Sequence, residues 1–186
     1  TTVGFGMKYF RFISSTLLLT MLISVSAQAA EPIVGLARII DGDTIRISGN
    51  RIRLHGIDAP EAKQTCVAAG KSWACGRNAT FALSAIIERQ WVHCHQKDKD
   101  RYGRIGAVCN LAGNDGPDVN AAMVRQGWAL AYRRYSMDYV EDEDAARKAK
   151  AGLWAGSFVA PWDWRQGKRL KAANDNVAGK CLIKGN

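Results

Sequence analysis

Apolar and polar positions alternate in several short runs of the chain, a period typical of strands that bury one face. These runs predict strands over residues 33–40, 44–47, 51–55, 91–96 and 105–111. Turn residues separate the first three, since Asp-Gly-Asp follows residue 40 and Ser-Gly-Asn follows residue 47. In the third strand, Ile52 and Leu54 face one side while Arg51, Arg53 and His55 face the other.

Apolar positions recur with a helical period over residues 77–89, 119–126 and 139–151. The first of these segments places Phe81, Leu83, Ile86 and Ile87 on one apolar face. Asp118 is the expected N-cap of the second helix. The third helix has acidic residues in its first turn and lysines in its last turn, an order that suits the helix dipole. Short antiparallel strands with one helix inserted after the third predict an α+β fold: a five-stranded, OB-fold-like barrel with three helices.

Residues 1–29 have the pattern of a secretory signal peptide. Lys8 and Arg11 form a basic start, residues 13–25 are apolar, and a small-x-small site ends at Ala29. The apolar run is shorter than the roughly 20 residues that a membrane-spanning helix needs. We therefore expect cleavage after Ala29, with residues 1–6 upstream of the true start. The protein is then exported to the periplasm or the medium, without stable membrane association.

The remaining chain divides into a domain over residues 30–165 and a basic tail over residues 166–186. The net charge is +9, from 26 basic and 17 acidic residues among 186. This excess favours a polyanionic partner, either nucleic acid or an anionic membrane surface, and charge alone does not choose between them. A hydrophobic fraction of 47% excludes a disordered chain.

The five cysteines are expected to form disulfides, because export favours them and no Cys-x-x-Cys pair suggests zinc. The midpoint of Cys94 and Cys109 falls within Asp-Arg-Tyr-Gly, so a hairpin turning there places the two sulfurs opposite each other. Cys66 and Cys75 close a short loop and form the second predicted bridge. Cys181 is left to pair with another molecule or with a segment beyond Asn186.

Charged residues gather at the predicted strand ends and turns; they are Asp41, Asp43, Arg53, Asp58, Glu61, Asp100 and Arg104. Hard divalent cations take carboxylate and carbonyl oxygens, so Asp43, Asp58 and the backbone carbonyl of Ala59 are candidate ligands. Glu61 beside the ion could orient or deprotonate a water. Arg53 and Arg104 could bind phosphate oxygens with both arms of the guanidinium. This set of groups indicates attack of water on a phosphodiester.

Four motifs carry a resemblance to a known family. They are Ile-Asp-Gly-Asp-Thr, Arg-Leu-His-Gly-Ile-Asp-Ala-Pro-Glu, Asp-Arg-Tyr-Gly-Arg and Val-Asn-Ala-Ala-Met-Val-Arg-Gln-Gly-Trp-Ala. In this order they resemble the staphylococcal nuclease (thermonuclease) family over roughly residues 35–155. The resemblance implies a five-stranded barrel with three helices, dependence on Ca²⁺, and hydrolysis of DNA and RNA to 3′-phosphate ends by a monomer.

The resemblance also assigns roles to particular residues. Asp43 and Asp58 match the calcium-ligating aspartates, and Ala59 lies where a backbone carbonyl ligand is usual. Arg53, Glu61 and Arg104 match the catalytic trio. The family's supporting acidic positions correspond to Asp41 and Asp100. Its substrate-contacting tyrosines correspond to Tyr132 and Tyr135. The family's reference form has Thr in place of Ala59. The backbone carbonyl of Ala59 can still bind the cation, but a contact made by the threonine hydroxyl is lost.

The cysteines depart from the reference form, which has none. The ending Cys-Leu-Ile-Lys-Gly-Asn resembles the start of a small module that follows this domain in some bacterial relatives. Two other functions stay open at this point. One is a catalytically weak nucleic-acid-binding OB-type module, as in degenerate repeats of the family. The other is a basic surface-adhesion module, which would leave the carboxylates unexplained.

Overall fold

The computed structural model describes residues 1, 2, 4, 31–113 and 115–170. The rest of the expected signal segment lies outside the described residues, as does the segment 171–186 with Cys181. The strands are β1 (Ile33–Leu36), β2 (Arg38–Ile39), β3 (Thr44–Ile47), β4 (Asn50–Leu54), β5 (Ile57–Asp58), β6 (Cys66–Ala68), β7 (Lys71–Trp73), β8 (Trp91–Lys99), β9 (Ile105–Leu111) and β10 (Leu130–Ala131). The helices are α1 (Cys75–Ile87), α2 (Val119–Arg125), α3 (Val140–Lys148) and α4 (Pro161–Arg165), with a 3-10 helix over Gly152–Ala155.

Six strands form a nearly closed barrel-like sheet in the order β1-β8-β9-β4-β3-β2. The strands at the two ends of this order are joined in the chain by Ala37 alone. β1 pairs with β8 and β2 pairs with β3, so the single strand predicted over residues 33–40 is broken in two and closes the barrel from both sides. The predicted OB-fold-like α+β barrel is confirmed, with its strand count only approximate.

The pairing of β4 with β9 departs from the prediction, because these two strands are parallel. Parallel strands need a long crossover connection, and here the chain between them runs through α1 and β8. The parallel register places Arg53 opposite Gly106. Local alternation predicts that a segment is a strand, but it does not predict which strand lies beside it or in which direction.

Both predicted disulfides, Cys66–Cys75 and Cys94–Cys109, are present. Cys94 lies opposite Cys109 in the antiparallel pair of β8 and β9, and the hairpin turns at the predicted Asp-Arg-Tyr-Gly segment. The turn is closed by the amide of Asp100, which donates to the carbonyl of Arg104 at 2.9 Å. The hairpin register was predictable because the turn residues and the period-two alternation specify the same pairing.

The three predicted helices exist, with ends shifted by at most three residues. Asp118 caps α2 as predicted, since its side chain accepts from the amide of Ala121 at 2.9 Å. The predicted apolar face of α1 is wrong at Phe81, whose exposed fraction is 63%. Leu83 and Ile87 of the predicted face are buried, whereas Phe81 lies two residues from Leu83, roughly 200° around the helix.

The sequence pattern did not indicate α4, which has five residues. It also did not indicate four short strands of two or three residues each, namely β5, β6, β7 and β10. Elements this short carry no measurable periodicity, so their pairing depends on tertiary contacts. The barrel interior is filled by apolar side chains that include Ile45, Ile52, Leu54 and Val92, all fully buried. Within residues 31–113 and 115–170, no helix is both long and apolar enough to cross a membrane.

Candidate active site

The centre of the candidate site is one guanidinium held between two carboxylates. The Nη2 atom of Arg53 lies 2.9 Å from Oδ2 of Asp43 and 2.6 Å from Oδ1 of Asp58. Arg53 reaches both because it lies on the outer face of β4, directly opposite Thr44 of β3. The two carboxylates predicted as metal ligands therefore lie beside the arginine predicted to bind phosphate.

Backbone pairing positions both aspartates. Asp43 precedes β3, and its carbonyl accepts from the amide of Leu54 in β4 at 2.8 Å. Its carboxylate accepts from the hydroxyl of Thr44 and from the amide of Ala59. Asp58 is fully buried in β5, opposite Leu130 of β10. The predicted ligand role of Ala59 concerns its carbonyl, while the contact that the structure shows is made by its amide.

Burial, and then the neighbouring Asp58, raise the pKa of Asp43 above its ordinary value, although Arg53 works in the opposite direction. Burial and the nearby Asp43 also raise the pKa of Asp41, which accepts from the amide of Asp43 at 3.1 Å. Burial works against the charge of Arg53, but Asp43 and Asp58 outweigh it and raise the pKa of that guanidinium. These directions indicate a site in which negative charge is crowded and a cation is stabilised.

Glu61 lies on the loop after β5, and a buried glutamine holds this loop in place. The side-chain carbonyl of Gln64 accepts from the amide of Glu61, and its amide nitrogen donates to the carbonyl of Val159 at 2.6 Å. Gly76 at the start of α1 packs so closely on the carbonyl of Glu61 that a Cβ atom there would collide with it. Gln64 and Gly76 thus position Glu61, and sequence reasoning identified neither of them.

Arg104 and Asp100 line the cleft at the hairpin between β8 and β9. The Nε atom of Arg104 donates to Oδ2 of Asp100 at 2.7 Å, and the amide of Arg104 donates to Oδ1 at 2.9 Å. Partial burial raises the pKa of Asp100, but these hydrogen bonds outweigh that effect and lower the pKa below its ordinary value. The predicted supporting role of Asp100 fits this geometry, because a charged carboxylate orients the guanidinium of Arg104.

Arg165 is a site residue that the sequence did not indicate, since it was assigned to the end of the domain. It lies on α4, and its guanidinium donates to both oxygens of Asp58, at 2.6 Å and 3.0 Å, and to Oε1 of Glu61 at 2.8 Å. These contacts raise the pKa of Arg165, although its partial burial works against the charge. The described residues make no polar contact with Oε2 of Glu61.

The tyrosines predicted to contact substrate line the same cleft, which has a volume of about 410 Å³. Tyr132 stacks on Trp162 of α4, with ring centroids 5.3 Å apart and planes at 6°. Tyr135 has an exposed fraction of 55% and makes a T-shaped ring contact with His55. The imidazole of His55 lies 3.4 Å from Asp98, so this residue also belongs to the cleft wall.

The structure brings together every charged residue predicted for the site. The cleft is lined by Asp41, Asp43, Arg53, Ala59, Glu61, Asp100, Arg104, Tyr132 and Tyr135, and Asp58 contacts Arg53 at its base. In the part of the chain that the structure describes, no three side chains of His, Cys, Asp or Glu are grouped as metal ligands. Two buried carboxylates that share one guanidinium nitrogen nevertheless form an all-oxygen donor set that fits a hard cation completed by a carbonyl and waters.

These features define a class of protein: an OB-fold-like α+β barrel whose cleft combines carboxylates with several guanidiniums. A family model for staphylococcal nuclease homologues matches residues 51–156. The chain is 39% identical over 163 residues to Protein ParB of Escherichia coli, which is 80% of this chain and 87% of that protein. It is 37% identical over 140 residues to the succinoglycan biosynthesis protein ExoI of Rhizobium meliloti, covering 74% of this chain and 72% of the relative.

A third relative is the micrococcal nuclease of Shigella flexneri, 36% identical over 149 residues, which cover 72% of this chain and 80% of the relative. The chain belongs to the staphylococcal nuclease family. Nucleases among its relatives support nuclease activity, and hence hydrolysis of nucleic acid, at the level of the family.

Proposed function

We propose that this protein is an exported nuclease that depends on Ca²⁺ and cleaves DNA and RNA to leave 3′-phosphate ends. The observation that carries the proposal is the contact of Arg53 with both Asp43 and Asp58, in a cleft that also holds Glu61 and Arg104. The two disulfides support export, because such bonds persist in oxidising compartments. The protein acts as a monomer without stable membrane association.

In this proposal Asp43, Asp58 and the carbonyl of Ala59 hold the cation, which would neutralise charge on the phosphoryl group. Glu61 accepts a proton from the attacking water through Oε2, which the described residues leave accessible. A bond forms between the water oxygen and phosphorus while the bond from phosphorus to the 5′ oxygen breaks, so the phosphate stays on the 3′ side. Arg53 and Arg104 bind the phosphate oxygens and stabilise the charge that develops there.

The rings that line the cleft have a role in substrate binding. Tyr132 and Tyr135 line the cleft next to each other, with ring centroids 5.0 Å apart. Aromatic faces bind nucleic-acid bases by stacking, with little preference for sequence. Such contacts would suit an enzyme that accepts both DNA and RNA.

Arg165 and the cation compete for Asp58 in this proposal. We expect Arg165→Gln to lower the free energy of unfolding by about 1–2 kcal/mol without calcium, because buried Asp58 keeps Arg53 alone as an ionic partner. Added calcium should offset that loss and should bind the variant more tightly than the parent. Thermal unfolding with and without calcium, together with calorimetric titration, measures both effects.

The matched control is Lys168→Gln, which removes one nearby positive charge whose ion pair with Asp163 lies outside the cleft. Its calcium affinity should differ little from that of the parent. Equal calcium affinities in Arg165→Gln and Lys168→Gln would contradict the competition between Arg165 and the cation.

A nuclease assay tests the proposed function directly. The purified protein should degrade single- and double-stranded DNA and RNA with calcium, less well with magnesium, and not in excess chelator. Mass analysis of the products should find 3′-phosphate ends. Full activity in chelator would refute the metal assignment. Binding of nucleic acid without any cleavage would instead support the catalytically weak OB-type module.

A further inference from the structure

Three arginines lie side by side across the outer surface of the barrel. Arg38 of β2 pairs with Arg46 of β3, and Arg46 pairs with Arg51 of β4. All three side chains are exposed. Neighbouring strands are about 4.8 Å apart, so the row, here called the arginine row, extends over about 10 Å.

The arginine row leads into the cleft. Arg51 shares the outer face of β4 with Arg53 and lines the cleft together with it. In the parallel pair of β4 and β9, Ile52 lies opposite Ile105, so the preceding residues Arg51 and Arg104 lie beside each other. Arg104 therefore continues the row from β2 towards the candidate catalytic residues.

The folded structure alone does not explain this row. Like charges directly opposite each other on neighbouring strands destabilise a sheet. Among the described residues no carboxylate lies within ion-pair distance of Arg38, Arg46 or Arg51, whereas other exposed arginines such as Arg125 and Arg133 are paired. A row that costs stability and has no internal counter-charge is expected where a polyanion binds.

We propose that Arg38 and Arg46 outside the cleft and Arg51 at its edge bind successive phosphates of a single nucleic-acid strand and lead that strand to Arg104. This inference rests on the proposed nuclease function and extends it from one phosphodiester to a longer binding surface. A single strand is favoured because the cleft, at about 410 Å³, has the size of a small-molecule site, so a duplex would have to open before one of its strands entered it.

The experiment uses the full chain with Glu61→Gln, so that bound substrate is not cleaved. Arg38→Gln and Arg46→Gln are added together, and Arg51 is kept because it lines the cleft. Fluorescence anisotropy measures the affinity for a single-stranded oligonucleotide of about 12 nucleotides and for a dinucleotide, at several salt concentrations. Each lost phosphate contact should reduce the salt slope of binding by about 0.7, so the pair should reduce it by about 1.4.

We expect the oligonucleotide affinity to fall roughly tenfold at low salt, and the ratio of oligonucleotide to dinucleotide affinity to fall with it. The matched control is Arg89→Gln with Lys148→Gln, which removes the same charge from exposed positions that do not line the cleft. The arginine row is refuted if the control pair loses as much affinity, or if the row variants bind as the Glu61→Gln parent does. Absence of dinucleotide binding by the Glu61→Gln parent, together with absence of cleavage by the protein that keeps Glu61, would instead count against the proposed nuclease function.

Discussion

Glu61→Gln is expected to lower kcat by a factor of about 10²–10⁴, with a much smaller change in KM. The amide cannot accept the proton of the attacking water, while Arg53 and Arg104 still bind the phosphate. Gln has nearly the same size as Glu, and its side-chain oxygen can still accept from Arg165. Initial rates on a defined oligonucleotide with saturating calcium give kcat and KM separately.

The control for this experiment is Glu141→Gln, which changes an exposed carboxylate at the start of α3. It should leave kcat within about twofold of the parent, as surface substitutions generally do. Undiminished kcat in Glu61→Gln would remove this residue from the role of general base. A large rise in KM with unchanged kcat would place Glu61 in substrate binding instead.

Asp43→Asn is expected to weaken calcium binding by roughly a hundredfold, or about 2.7 kcal/mol, because it removes a unit charge beside a divalent ion at the effective dielectric of a protein site. Nuclease activity at low calcium should fall in parallel and should recover in part at high calcium. Calorimetric titration measures the affinity, and rates across a calcium series measure the recovery.

Asp144→Asn is the matched control, since it removes an exposed carboxylate on the outer side of α3. Thermal unfolding in excess chelator shows whether Asp43→Asn keeps its fold when no cation is bound. If a folded Asp43→Asn variant keeps the calcium affinity of the parent, Asp43 is not a ligand. Loss of activity without loss of affinity would then point to an effect on Arg53.

Much of the fold could be predicted from local patterns. The strand over residues 105–111 was placed at its observed ends, and the cap at Asp118 and both disulfides were also predicted correctly. Each of these depends on residues that are neighbours in the chain or are related by one hairpin. The break at Ala37 and the parallel pairing of β4 with β9 depend on closure of the whole barrel. The local alternation of apolar and polar residues does not predict that closure.

The candidate site divides in the same way. Residues that lie in compact motifs, such as Asp58 and Glu61, could be identified from the order of residue types around a turn. The sequence could not indicate that Arg165 contacts both of them, because it lies 107 and 104 residues away along the chain. Gln64 was missed for the same reason, since its contact with Val159 spans 95 residues.

The sequence by itself determined the family of this protein, the residues at the centre of the proposed chemistry and the hairpin that carries Arg104. Turn residues, the alternation of apolar and polar positions, and the order of motifs are local properties that can be identified directly in the sequence. Only the tertiary structure decided that α4 reaches back to Asp58, that Tyr132 stacks on Trp162, and that the arginine row lies in register. Such contacts arise when distant segments pack together, and their geometry depends on barrel closure and side-chain direction rather than on spacing along the chain.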